Sequence, residues 1–496
     1  MQTQPQNELS PNRRTVFVVR ILTALIALAL LLLAAINTPV LQGGARIEWF
    51  KATLFGAGIC LGALCFAPFS WNQKALTLVI SVSIALALAE FVLRAVLGPE
   101  FFPIDQRDDR ALYRPIPAAE RTYVLAGVNG GTVIRYKFNS QGFRGPELAP
   151  LGQSMRVLVY GDSYIQADFA RTEDTFTEQL KGRLAGKIGK SIEVVNAGVA
   201  GYGPDQELRR MEEELPALKP NLVIVAIYAG NDFYDLVRDK LYRLSSDGSL
   251  QENRAEHLDA ATVSEMSRSR SEPILRRIMS AALGRLLRLI ASRGDASGTG
   301  REAGQAMVDA DLKQGIAAYR QYVIEGDNAV HNLGLDPYNA DVSLTPTSES
   351  ARYKIAMMEQ IMRRMGETAA NNHAALMFLL IPAVIDVTDE NFDPGIGEVD
   401  PQKYPEYRRS TLTDILEQIC QRNGFPAVNL FGPFWEQRAD HLWLKTPDGH
   451  WSPRGQAYAA ELVSEFVSSR NLLGSPSPNS RMDQSVSGQQ QRGSGQ

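Results

Sequence analysis

The chain has 496 residues, 45% of them hydrophobic and 21% charged, with a net charge of −4. That length is more than one ordinary domain needs. No basic nucleic-acid patch, phosphate-binding lysine motif or nucleotide fingerprint occurs, and the three cysteines and five histidines show no metal-ligand spacing, so no nucleic acid, metal or cofactor is expected.

The first hundred residues are the apolar part. Runs at 15–36, 52–69 and 75–98 are each about as long as a bilayer-spanning helix, which needs roughly 17–25 residues. Trp49 and Trp71 bracket the second run as interfacial anchors would, and Arg20 can snorkel from the first. Glu90 and Arg94 are spaced for a helical ion pair near the end of the third. Arg13-Arg14 reads as a positive flank of an uncleaved first helix, so an inside N-terminus and three spans place the rest of the chain outside the cytoplasm. Membrane lipids are then partners of residues 1–98, and the expected location is a plasma membrane, multi-pass, with the remaining domain periplasmic or extracellular.

Residues 99–150 read as an extended linker and pre-domain. After them strand and helix patterns alternate over 151–472. The predicted strands are 155–160, 191–196, 221–228, 374–381 and 426–431, apolar without polar alternation, as suits strands buried on both faces. The predicted helices are 173–188, 204–216, 351–371, 404–423 and 453–470. This is an α/β pattern with a parallel sheet, whose sites lie beyond the carboxyl ends of its strands. Residues 233–350 break the alternation and read as a helical insertion. Its clearest element is 271–293, started by Ser271 and Pro273, with Arg276, Arg277, Arg285, Arg288 and Arg293 beside an apolar side. It is either a helix packed on the sheet domain or one lying on an anionic surface or over the cleft. Residues 294–304 and the tail 473–496 are rich in small polar residues and are expected to be flexible. The stretch 389–400 reads as a solvated acidic loop rather than a calcium loop.

Gly161-Asp162-Ser163 follows the first strand of this domain, and Asp448-Gly449-His450 precedes the last helix. A serine on a sharp strand-to-helix turn exposes its hydroxyl and leaves its N–H free. A histidine with Asp448 two residues away can be an oriented base, and the two together suffice for acyl transfer through a serine. Gly201 and Asn231 follow strands of their own and can supply donors to an oxyanion. The helix after Ser163 would add N–H groups and its positive dipole end, and Asp162 is given a structural role. Trp435, Trp443 and Trp451 surround His450 in sequence, as core for one or two of them or as a stacking surface for a sugar ring.

In these residues the chain resembles the SGNH (GDSL-like) hydrolase family, over roughly 135–235 and 370–470, including Asn139-Ser-Gln-Gly-Phe-Arg144. The resemblance implies a flavodoxin-like three-layer α/β/α fold and a serine esterase or acyltransferase. It implies Ser163 as nucleophile and His450 as general base, with Ser163 N–H, Gly201 N–H and the Asn231 side chain as oxyanion hole. The family's commoner spacing puts aspartate three before the histidine. Position 447 is proline, so Asp448 is the available carboxylate. The expected substrate is an acylated glycan, with acetyl the simplest group. A lipid ester, transfer to a sugar with a partner acyl-donor membrane protein, and a non-catalytic envelope scaffold are the alternatives.

Overall fold

The computed structural model describes residues 13–35, 55–56, 59–96, 104–125, 132–253, 300–326, 338–388, 399–400, 402–437, 441–444 and 449–474. The basic helix at 271–293, most of the acidic loop at 389–400, Asp448 and residues 475–496 lie outside that set. Two compact units are present, one within Met1–Phe101 and one built mainly from Phe102–Asp259 and Ala291–Gln496.

The first unit holds helices Arg13–Ala35 and Phe69–Val96. Three spans are not what its described residues show. One helix, Phe69–Leu88, is long and apolar enough to cross a membrane by length and composition. The expected span at 52–69 is interrupted: its described helix stops at Leu64, and Cys65, Phe66 and Ala67 bond back three residues to Gly62, Ala63 and Leu64. Pro68 is the cause, having no N–H and barring the α conformation at Ala67. The same proline then opens the next helix, where a missing N–H costs nothing. Phe17, Leu25, Trp71, Leu78, Ile84 and Phe91 are exposed along these helices.

In the second unit, the described residues between 104 and 137 form two antiparallel strand pairs. β1 (Asp105–Asp108) pairs with β2 (Leu112–Pro115), and β3 (Glu120–Leu125) with β4 (Thr132–Lys137). They were expected as an extended approach. Instead Arg114 pairs with Glu213 at 2.8 Å, and the Tyr113 hydroxyl donates to Ala200 O at 2.7 Å.

Five parallel strands follow: β5 (Met155–Tyr160), β6 (Ile192–Asn196), β7 (Leu222–Tyr228), then, beyond a small hairpin of β8 (Tyr242–Leu244) and β9 (Leu250–Glu252), β10 (Ala375–Ile381) and β11 (Ala427–Asn429). Their order in the sheet is β11-β10-β7-β5-β6. Each begins within a residue of its expected position. The apolar runs are continuous because both faces are buried, and alternate residues feed two cores. Leu158, Tyr160, Val223, Val225, Phe378 and Leu380 pack toward helices Pro204–Leu218, Glu349–Asn371 and Thr411–Asn423. Val157, Val159, Leu222, Ile224, Met377 and Leu379 pack toward Phe176–Ile188 and Pro453–Ser469. Each fully buried side chain of this kind contributes about 1.5–3 kcal/mol. The result is a three-layer α/β/α unit. Residues 300–304, expected in a flexible stretch, begin the long helix Gly300–Glu325, and the last sheet-layer helix but one starts at Thr411 rather than 404.

Candidate active site

Strand order does the first part of the assembly. β5 lies between β6 and β7, all three are parallel, and Ser163, Gly201 and Asn231 come just after β5, β6 and β7. Neighbouring strands run about 4.8 Å apart, so the three exits share one edge of the sheet.

Ser163 opens the four-residue helix Ser163–Gln166. Asp162 caps it, its Oδ1 accepting from Tyr164 N at 2.8 Å. Ala167, in the left-handed conformation at φ 56°, ends it. The expected dipole contribution shrinks accordingly, because the macrodipole is a sum over aligned peptides and one turn supplies few.

The β6 exit is bonded to this turn. Asn196 Nδ2 donates to Ile165 O at 2.6 Å, and the Gln166 side chain accepts from Ala200 N. Only glycine fits at 198, where a Cβ would fall on the backbone of Ile165 and Gln166. Gly201 sits at φ 77°, a left-handed position open to glycine, and its carbonyl accepts from Arg238 at 2.7 Å. Asn231 is the first residue before helix Asp232–Asp239, and its carbonyl accepts from Tyr234 and Asp235 N–H.

From the other side of the sheet's edge comes His450, whose Nε2 is 2.8 Å from Ser163 Oγ. Its ring is stacked on Tyr164 at 5.1 Å and met edge-on by Phe169 at 5.1 Å. The Tyr164 hydroxyl donates to Gly449 O at 2.9 Å, so one residue touches both the histidine ring and the backbone that carries it. Leu444 N bonds to His450 O at 2.7 Å, and Trp443 and Trp451 bridge the two sides of the loop. Trp443 and Trp451 are buried in the core beneath, against Phe434 and Tyr164. Trp435 is exposed, but one side of its indole is stacked on Phe431 and the Arg409 guanidinium lies 5.2 Å from the ring.

Beneath the turn lie three buried carboxyls, Asp162, Glu207 and Asp232. Burial lifts Asp162 to about 7. Glu207 and Asp232 are raised as well, by burial first and then by the negative charge of their neighbours. Groups so placed keep their protons well above the usual carboxylate range. Asp232 also accepts from Tyr228 N at 2.7 Å, tying the end of β7 to the start of the next helix.

Sequence reasoning left three contributors unassigned. Arg144 was quoted only as part of a flanking pattern. Its buried guanidinium donates to Gln166 O, Ala167 O and Ala170 O, the last at 2.6 Å, and so holds the chain between Ser163 and Phe169. Tyr164 was visible beside the serine, yet nothing local marks it as the floor under His450. Asp386, just past β10, is buried with the Tyr338 and Tyr407 hydroxyls on its Oδ1 at 3.1 and 3.3 Å. Chemically, the arrangement offers a serine hydroxyl in contact with an imidazole at a glycine-rich, N–H-bearing edge.

The chain matches the model of the GDSL-like Lipase/Acylhydrolase family over residues 159–458. Among solved structures it is similar to TesA, at 15% identity over 63% of this chain and 98% of that one, TM-score 0.30. A lipase/acylhydrolase from Enterococcus faecalis matches at 13% identity over 64% and 96%, TM-score 0.29. The acetylxylan esterase Axe2 from Geobacillus stearothermophilus matches at 12% over 66% and 97%, TM-score 0.31. No curated protein matches the chain.

Proposed function

The chain belongs to the GDSL-like lipase/acylhydrolase family and is a serine hydrolase of ester bonds; on that premise we propose that it removes acyl groups, acetyl in the first instance, from a glycan outside the cytoplasm while tethered to a membrane by its N-terminal helices. The observation that carries the reaction is the 2.8 Å contact between Ser163 Oγ and His450 Nε2. His450 accepts the Ser163 proton as Oγ attacks the ester carbonyl. The tetrahedral oxyanion is met by the N–H groups of Ser163 and Gly201 and the side-chain amide of Asn231. Collapse expels the alcohol, which takes its proton from His450, and leaves an acyl-serine. Water, deprotonated by His450, then releases the acid and restores Ser163. Asp448, two residues from the histidine, orients the imidazole in this scheme. No cofactor takes part.

Tethering is supported by the row of exposed apolar side chains on the helices Arg13–Ala35 and Phe69–Val96, which water solvates poorly and lipid solvates well. The glycan substrate belongs to the same proposal, since an ester hydrolase tethered outside the cytoplasm would meet acylated polysaccharide. The buried state of Trp443 and Trp451 leaves Trp435 as the one indole of the three with exposed surface for a sugar to meet.

Three measurements test the proposal. Ser163→Ala should abolish turnover of a small aryl acetate, and Ser163 of the folded wild type should react with an organophosphonate; no reaction would favour a non-catalytic scaffold. In cells, deletion and Ser163→Ala should both raise the O-acetyl content of envelope polysaccharide. A fall would mean transfer with a partner that delivers acyl groups, and altered lipids with unchanged polysaccharide would mean a lipid ester substrate.

A further inference from the structure

The chain returns from the 233–350 insertion at Tyr338 and Asn339, and it returns directly onto the β7 exit. Asn339 is buried and directs its backbone and side chain at the short loop that carries Asn231. Its Nδ2 donates to Ala229 O at 2.9 Å. Its backbone N–H donates to Gly230 O at 3.0 Å. Its Oδ1 accepts from Tyr234 N at 2.7 Å. Two of these bonds fall immediately before Asn231 and the third falls three residues after it. The same segment reaches the neighbouring exit through the Tyr338 hydroxyl, which donates to Asp386 Oδ1 at 3.1 Å, and the Asn231 loop is tied to that exit by Ala229 N–H donating to Ile381 O at 2.8 Å.

Asparagine suits this position for a specific reason. The side chain must donate to a carbonyl and accept from an N–H at once. Aspartate lacks the donor, glutamine is a methylene too long, and alanine removes the donor to Ala229 O and leaves Tyr234 N–H only its bond to Asn231 O.

We infer that Asn339 is a positioning residue for ester hydrolysis, fixing the Ala229–Asn231 loop so that the Asn231 amide meets the developing oxyanion. The inference rests on the hydrolase reading above and gives the end of the insertion a role in that same site. Misplacing a catalytic donor by about 1 Å costs on the order of 100-fold in rate, so a residue that never touches substrate can govern kcat.

The test is a double-mutant cycle on the full chain with an aryl acetate. Asn339→Ala should lower kcat by about 10–100-fold with KM within about twofold. Asn339→Asp, which keeps the acceptor for Tyr234, should fall between it and wild type. In an Asn231→Ala background the Asn339 substitution should add less than about twofold, because its effect passes through a donor already removed. Equal losses in both backgrounds would overturn the inference, as would an Asn231→Ala variant with wild-type kcat. Should Asn339→Ala fail to fold, Asn339→Asp carries the same cycle. Residual wild-type turnover in Ser163→Ala defeats the hydrolase reading; an additive cycle with an inert Ser163→Ala defeats only the role of Asn339.

Discussion

The two halves of the catalytic pair are held by different physics. Ser163 stands on a turn fixed by polar bonds: Asp162 caps it, Asn196 and Gln166 join it to the β6 exit, and Arg144 gathers the three carbonyls that follow. His450 stands on a loop fixed mainly by rings: Tyr164 beneath, Phe169 at the edge, and Trp443 and Trp451 in the core below. Directional bonds define a point, and a nucleophile must be at one. Ring packing holds a plane while allowing small shifts within it, and a base that exchanges a proton between serine, leaving group and water uses that latitude.

The sharpest break of this comparison is at the pair itself. Ser163→Ala and His450→Ala should each lower kcat/KM for an aryl acetate by about 10⁴-fold or more, and the double variant should lose little beyond either single one. A double variant that multiplies the two losses would show that the residues do not act as a unit.

Next in size is the buttress of the serine side. Arg144→Ala removes the donor from three buried carbonyls and should cost about 3 kcal/mol of stability, read as a lower denaturation midpoint, together with a fall in kcat. Arg144→Lys should recover only part of each, since a lysine ammonium cannot reproduce the planar fork that spans Gln166, Ala167 and Ala170. Full recovery by lysine would mean that charge alone is needed there.

On the histidine side the ring and the hydroxyl of Tyr164 can be separated. Tyr164→Phe keeps the stack and loses the bond to Gly449 O, for about 0.5–1.5 kcal/mol. Tyr164→Leu loses the stack as well and should lower kcat further, with a displaced pH profile for kcat/KM as the histidine loosens. Equal kcat values in the two variants would assign the positioning to the hydroxyl rather than to the ring.

The last effect is in the pH dependence of stability. Burial moves Asp386 from 3.8 to about 8, against the pull of the Tyr338 and Tyr407 hydroxyls and of Arg409. The folded chain therefore keeps this proton after the unfolded chain has released it. The stability it contributes is complete below about pH 4 and is lost as pH rises toward 8. Asp386→Asn should make the fall of Tm between those limits shallower, Asp162, Glu207 and Asp232 supplying the remainder, and an unaltered slope would assign the whole of it to those other carboxyls.

What could be read from the chain beforehand followed from periodicity. The five strands were legible because doubly buried parallel strands are short unbroken apolar runs, and the two motifs were legible because each stands next to one. The strand pairs between Asp105 and Lys137 were not, since their strands carry Gln106, Arg107, Arg114 and Arg135 among the apolar residues and take their pairing from each other rather than from the sheet. Asn339 was invisible for a related reason: its partners Ala229 and Tyr234 are 110 and 105 residues away in sequence, and no local pattern records such a bond. Pro68, by contrast, was in plain view, and an apolar count that ignored it carried the 52–69 run past the end of its helix at Leu64.

Arg144 also bears on where this enzyme can be cut. The family match begins at residue 159, after all of the segment that reaches the nucleophile turn from outside. A fragment started there would keep Ser163 and His450, yet it would lose most of β5, which lies between β6 and β7, and leave the carbonyls of Gln166, Ala167, Ala170 and Ala200 without the donors Arg144 and Tyr113. The smallest portable catalytic module therefore starts upstream of Ile104, with both strand pairs inside its border. An excised version built to the family boundary should be soluble at best and slow.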